Sequence, residues 1–348
     1  MSALHVGVIG AGAIGVHVAL RLAHAGAEVT VLSRARGKAE AEAGILHAAS
    51  LDGERVPQTP DRLRFVTDPQ ALAATELILL CVKSKDTRSA CEPLVALPDA
   101  ARRPVVSFQN GLRNPDTIAA LELPAVAGMV SFNVNRVDED GRAVYHQATS
   151  GPLMSATGSS AHERALLARL AALSEAAGMP FERRADMRSV QTGKLLLNLN
   201  NAICALSGVS IATSVRTRDL RRSFAASMRE GLRIYAAAGE RPATIGKLPS
   251  RLIAWLLPLP DAVVLRVAKS LITIDPRARS STLQDLEAGK RTEIESLNGE
   301  LVRLAEAAGA PCPINRWIVD EVHRLEAMDT PAFHDPAALW AAIQPLTR

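Results

Sequence analysis

The stretch TGKLLLNLNNAICALSG, residues 192–208, sets one lysine and three asparagines among leucines, alanines and isoleucine. On a helix Lys194, Asn198 and Asn201 fall at i, i+4 and i+7, a single stripe on one face. Leu195, Leu196, Leu197 and Leu199 fill the remaining sides, so the helix is apolar nearly all round and expected to be central. An ammonium in such surroundings can stabilise a developing negative charge and give up a proton. A lysine near a helix start can also simply snorkel to water. Two amides on the same stripe weigh against that, because buried amides need partners and a cleft supplies them.

A candidate counter-charge is Glu293, within SSTLQDLEAGKRTEIESLNGELVRLAEAAGAP, residues 280–311. The pattern predicts two helices. The first closes near Gly289; Thr292 opens the second, with Glu295 three residues on as a capping box. Ile294, Leu297, Leu301 and Leu304 form its buried face, and Gly309 with Pro311 ends it. Glu293 then lies in a first helical turn, where the dipole favours a carboxylate, so plain capping competes with a chemical role.

The other chemistry-bearing pattern is GAGAIG, residues 10–15, in which Gly10, Gly12 and Gly15 enclose Ala13 and Ile14. It follows the apolar run HVGVI and precedes helical spacing up to Gly26, then EVTVLS. Strand, glycine turn, helix and strand in that order are the context a dinucleotide phosphate loop requires. Gly10 permits the tight turn, Gly12 lets backbone approach a pyrophosphate, and Gly15 lets the helix pack on the strand. An NAD site carries an acid at the end of the second strand. That position is Ser33, followed by Arg34 and Arg36, which could pair with a 2′-phosphate or be ordinary surface arginines. The expectation is NADPH.

Further apolar runs at 77–82, 104–109 and 126–132 predict more sheet strands. CVKSKDT places Lys83, and SFQNGL places Asn110 and Gly111, at strand ends where open α/β folds bind ligands, although Asn-Gly is also a common turn. From 186 onward the periodicity is helical, so the expected organisation is an NADP-binding Rossmann domain over 1–183 and a helical substrate and catalytic domain over 184–348. The Pro-containing stretch 242–260 reads as a loop followed by broken helices.

Composition adds exclusions. A net charge of +4 and 3% aromatic residues give no groove or stacking platform for nucleic acid, and Arg102, Arg103, Arg221 and Arg222 read as dispersed, solvated charges. Cys81, Cys91, Cys204 and Cys312 form no CxxC pair and no metal-ligand spacing, which predicts no metal and reduced core thiols, hence a cytoplasmic address. No signal peptide is recognisable, and the apolar segment around 251–268 is broken by Pro258, Pro260 and Asp261 before it could span a membrane.

Taken together GAGAIG, CVKSKDT, SFQNG, GKLLLN and SSTLQDLEAGKRTEIESLNG resemble the ketopantoate reductase (2-dehydropantoate 2-reductase) family, from residue 5 to about 325. The last two motifs are specific. The resemblance implies a Rossmann domain joined to a helical domain of the 6-phosphogluconate-dehydrogenase type, with the active site between them. It further implies that Lys194 is the general acid, that Glu293 contacts substrate and lysine, and that Asn110, Asn198 and Ser281 orient substrate or nicotinamide. Asp285 matches another family position.

Two departures stand out. The family's second substrate asparagine, eight residues after the lysine, is Ala202 here, with Asn201 one place earlier; either the helix shifts phase or the contact is lost. The segment 240–275 is also longer than in compact members. The expected activity is NADPH-dependent reduction of 2-dehydropantoate to (R)-pantoate in pantothenate biosynthesis. The alternatives are a reductase of another 2-oxo acid and a non-catalytic NADPH-binding sensor. A small 2-oxo acid is the only expected ligand besides cofactor, and a homodimer is slightly preferred because such helical domains often pair through apolar faces.

Overall fold

The computed structural model describes residues 2–264, 266 and 279–347. The chain divides into two compact units, residues 1–187 and 188–348; the boundary expected from the sequence was 183/184.

In the first unit the strands are β1 (His5–Ile9), β2 (Glu28–Leu32), β3 (Leu46–Ala49), β4 (Arg55–Pro57), β5 (Leu63–Val66), β6 (Leu77–Leu80), β7 (Val105–Ser107), β8 (Ala125–Val130), β9 (Val134–Glu139), β10 (Arg142–Gln147), β11 (Leu153–Ala156) and β12 (Phe181–Arg184). The main sheet runs β12-β11-β8-β7-β6-β1-β2-β5. From β5 to β8 every pairing is parallel, and β11 alone pairs antiparallel, to β8. Strands covered on both faces are apolar without alternation, as in the wholly buried LILL of β6. The chain leaves β1 towards β2 on one side and returns to β6 on the other, so the strand order reverses there. Ligands bind at the carboxyl ends of strands at such a reversal.

Helix α1 (Ala13–His24) links β1 to β2, and its Val16, Val18, Leu20 and Leu22 are buried in the unit's core; α2 (Ala35–Glu42), α3 (Thr87–Val95), α4 (Asn114–Ala119) and α5 (Ala161–Ala176) follow along the chain. A second sheet, β4-β3-β10-β9, also packs on α1. The sequence reading did not anticipate this sheet. Its hairpin turns at Asp140 (φ 48°) and Gly141 (φ 76°), the two left-handed residues of a type I′ turn.

The elements of the second unit are helical. α6 (Met187–Ser207) is its central element: Leu195, Leu196, Leu199, Ala202, Ile203 and Leu206 are all 2% exposed or less. The others include α7 (Ile211–Arg216), α8 (Arg218–Ala237), α9 (Ser250–Leu256), α10 (Ser281–Glu287), α11 (Asn298–Ala308) and α12 (Pro313–Glu326), of which α9, α11 and α12 pack on α8. Within the segment 240–275, residues 265 and 267–275 lie outside the described residues.

Two arginines read as solvated are buried instead. Arg221, 1% exposed, donates to the carbonyls of Val215, Leu257 and Leu259 and pairs with Asp261 at 2.5 Å. Arg103, 6% exposed, donates to the carbonyls of Ala73, Thr75 and Pro98. A guanidinium's five donors can satisfy several loop carbonyls at once, which composition does not reveal.

Candidate functional site

The glycine loop lies at the carboxyl end of β1. Gly10 has φ +111°, and a Cβ there would stand 2.7 Å from the Cys81 carbonyl carbon; a Cβ on Gly15 would stand 2.0 Å from the Gly10 oxygen. The fold itself therefore demands both glycines. Gly12 differs: a Cβ there would meet nothing within 4 Å. Its bareness serves no internal packing, and the space it leaves suits a group pressed against the backbone. α1 starts at Gly12 with no side-chain cap and no acid in its first turn. The first-turn N–H groups, Ala13 and Ile14 among them, lack intrahelical acceptors and face an uncompensated dipole. A pyrophosphate fits this cradle on both counts.

At the end of β2, Ser33 donates its Oγ hydrogen bond to the Arg34 carbonyl. Arg34 is exposed and makes no ion pair among the described residues, whereas Arg36 pairs with Glu40 at 3.0 Å. Of the two arginines named from the sequence, Arg34 is the better placed for an incoming anion.

Beyond β6 and β7, two loops are locked together. Ser84 Oγ and Asn114 Nδ2 both donate to the Asn110 carbonyl, at 2.6 and 2.7 Å. Thr87 Oγ1 donates to Asn114 Oδ1, and Gln109 Nε2 donates to Thr87 Oγ1 and to the Val82 carbonyl. Gly111 follows at φ +87°. Half-buried Lys83 and Asn110 thus sit on loops with fixed spacing. The sequence reading named Lys83, Asn110 and Gly111 but missed Gln109, Thr87 and Asn114, which hold these loops together; Thr87 and Asn114 each open a short helix.

In the second unit, Lys194, Asn198 and Asn201 lie on α6 and are half-buried amid its leucines. Burial pulls the Lys194 ammonium down to about 8, and the negative charge of Glu293 opposes that pull. The third asparagine, Asn200, is structural: it is buried and donates to Ser214 Oγ at 3.0 Å. α6 runs unbroken, so Ala202 is a core position, 0% exposed, and the contact an asparagine could make from there is absent. Gly193 is also required, since its Cβ would lie 2.3 Å from the Ala243 oxygen, and Ala243 N–H donates to the Ser189 carbonyl. That glycine was not singled out from the sequence.

α10 is anchored to α6 by Ser280, whose Oγ donates to the Asn201 carbonyl at 3.0 Å while accepting from Leu283 N–H. This fixes the helix that carries Ser281 and Asp285, four residues apart on one face. Ser281 is exposed and Asp285 half-buried.

The capping box expected at Thr292 and Glu295 does not form. The segment makes a single 3-10 turn, Ile294–Ser296, and α11 begins only at Asn298, because Leu297 (φ −111°, ψ −98°) interrupts the helical backbone. Glu295 turns outward to Arg303 and His323. Glu293 accordingly sits at the start of that turn, outside any long helix, with a half-buried side chain. One unit thus carries an anion cradle and two strand-end loops, and the other a depressed lysine with a nearby carboxylate. The first suits a dinucleotide; the second suits proton transfer to an oxyanion.

Known proteins are similar to this chain over most of its length. The description "Ketopantoate reductase PanE/ApbA" belongs to the family model matching residues 6–156, and its C-terminal counterpart matches 186–326. A 2-dehydropantoate 2-reductase of Halobacterium salinarum is 30% identical over 278 residues, covering 78% of this chain and 84% of that protein. One of Archaeoglobus fulgidus is 25% identical over 328 residues, covering 94% and 99%. The crystal structure of a PanE/ApbA family ketopantoate reductase from Ralstonia eutropha is 31% identical with a TM-score of 0.74, covering 93% of this chain and 98% of that one.

Proposed function

This chain belongs to the ketopantoate reductase family, whose members are oxidoreductases, and on that premise we propose that it uses NADPH to reduce 2-dehydropantoate to (R)-pantoate, in pantothenate biosynthesis. The observation that carries the reading is Lys194, a lysine set in an apolar helix, lowered to about 8 and answered by Glu293.

NADPH, when bound, supplies the hydride. Gly10, Gly12, Ala13, Ile14 and Gly15 would hold its pyrophosphate, Arg34 beside Ser33 would pair with the 2′-phosphate, and Lys83, Asn110 and Gly111 would complete its binding site. Lys194 stabilises the alkoxide developing on the substrate carbonyl and gives it a proton. Glu293 keeps the ammonium charged and contacts substrate, and Asn110, Asn198, Asn201, Ser281 and Asp285 orient it. A proton donor near neutral pH serves both tasks, since it is charged before transfer and parts with its proton readily.

A panel of 2-oxo acids, followed by the loss of NADPH absorbance, tests the proposal. Turnover strongest with 2-dehydropantoate is expected. Preference for another 2-oxo acid would agree with the buried Ala202, which takes one amide from the site. Tight NADPH binding with no turnover would point to a sensor, for which Lys194 and Glu293 would have no use. We place the protein in the cytoplasm, where its four free cysteines would stay reduced. Pairing of two copies would use exposed Leu252 and Trp255 on α9, and sedimentation velocity would decide it.

A further inference from the structure

Glu293 lies on a short non-helical segment, so something other than a helix ladder must fix it. The residues on either side of it are held by side chains of α12. Glu326 Oε1 accepts from Thr292 N–H at 2.7 Å, and Thr292 Oγ1 in turn accepts from Ile294 N–H. Two residues past Glu293, Glu295 Oε1 meets His323 Nε2 at 2.9 Å. The other ring nitrogen, Nδ1, meets Glu326 Oε2 at 3.1 Å. An imidazole whose two nitrogens both face carboxylates can satisfy both only as the doubly protonated cation. One ring therefore closes a loop of contacts from Thr292 through Glu326 and His323 to Glu295, with Glu293 inside it.

We propose that His323, as an imidazolium shared between Glu295 and Glu326, is a positioning residue that holds Glu293 beside Lys194. The inference rests on the reading of Lys194 and Glu293 as the proton-transfer pair. The groups facing the ring are Glu295 from the turn and Glu326 from its own helix. Arg303 of α11 backs Glu295 through Oε2 and through its carbonyl, and is itself paired with Glu300. Partial burial works against the ring's charge, but the two carboxylates outweigh it and raise the imidazole above its ordinary value, while Glu326 is lowered despite its own burial. The clamp therefore persists to higher pH than a free imidazole would allow and weakens as the ring loses its proton.

The test compares wild type with His323→Gln and Glu326→Gln in the full chain with NADPH bound. Freeing the turn weakens the support that Glu293 gives the Lys194 ammonium. The alkaline limb of kcat should move to lower pH in both variants, and kcat/KM at pH 7 should drop about 2- to 10-fold, the ratio that one net hydrogen bond corresponds to. NADPH affinity should be unchanged. A lower kcat/KM with an unmoved limb, or no change at all, would overturn the proposal, because a merely structural histidine leaves the lysine's titration alone. Titration of Lys194 by NMR of 13Cε-labelled lysine, assigned through Lys194→Arg, reads the same shift without turnover. If wild type reduces no 2-oxo acid, the functional reading fails, and the NMR titration still decides the clamp.

Discussion

In the proposed reaction Lys194 carries the proton transfer, and its depressed pKa gives a signed expectation. With the ammonium as the proposed donor, kcat should be level below about pH 8 and fall about tenfold per unit above it. Lys194→Ala should cost about 10²- to 10⁴-fold in kcat while NADPH affinity stays within about twofold, measured by steady-state kinetics and by cofactor fluorescence titration. Near-normal turnover with reduced thermal stability would make the lysine a snorkelling structural residue. At the cofactor, Arg34→Ala should weaken NADPH by about 10- to 150-fold and leave NADH nearly unaffected, the size of one charge-assisted contact. Equal losses for both would remove the 2′-phosphate assignment. Lys194 stood out in the sequence because a cation shares one stripe with two asparagines on an otherwise apolar helix. Asn114 and Gln109 did not, because their bonds to Thr87 span 27 and 22 residues, which no local pattern records. Arg221 was misread for the same reason: the carbonyls it satisfies include those of Leu257 and Leu259, 36 and 38 residues away.

At the scale of elements, the turn from β1 into α1 separates two uses of glycine that the motif alone merges. Gly15→Ala would drive a Cβ to 2.0 Å from the Gly10 oxygen, so it should damage folding and lower the melting temperature with or without cofactor. Gly12→Ala meets no protein atom, so the melting temperature without cofactor should hold within about 2 °C, while NADPH binding is largely lost to the methyl group filling the cradle. If both variants lose stability equally, the cradle is a packing feature. The β1-α1-β2 start was readable because period, glycines and strand follow one another within about 30 residues. The second sheet was not, since β3 pairs with β10 almost a hundred residues later. Its one local signal was Asp140-Gly141, a hairpin pair. The capping-box pattern shows the limit of such signals: Ser160 and Glu163 form one at the start of α5 (Ala161–Ala176), whereas Thr292 and Glu295 do not, because Arg303 and His323 claim the glutamate.

At the scale of the whole molecule, each unit has its own means of holding together, and a carboxylate in the second makes the difference measurable. Glu230 on α8 is 0% exposed, yet it has no cationic partner among the described residues. It accepts instead from Ile314 N–H at 2.9 Å, Asn315 N–H at 2.7 Å and Asn315 Nδ2 at 2.8 Å, and the Cys312 thiol stands 3.5 Å away. These are the orphan donors at the amino end of α12, where backbone dipoles favour a negative charge. Asn315 Oδ1 then accepts from Ser227 Oγ and Asn298 Nδ2, which extends the network to α11. Glu230, between Arg229 and Gly231, gives no sequence sign of capping a helix that begins about 80 residues later. Glu230→Ala would strand those donors in the core, so it should destabilise residues 188–348 by about 3 to 5 kcal/mol. Glu230→Gln keeps one acceptor oxygen and should cost about 1 to 2 kcal/mol. In urea the alanine variant should lose helical circular dichroism at a lower denaturant concentration than the glutamine variant. NADPH binding, which depends on the β1-α1 loop of the other unit, should persist below that transition. A Glu230→Ala midpoint matching wild type would mean that water satisfies the end of α12 and that the carboxylate does not cap it.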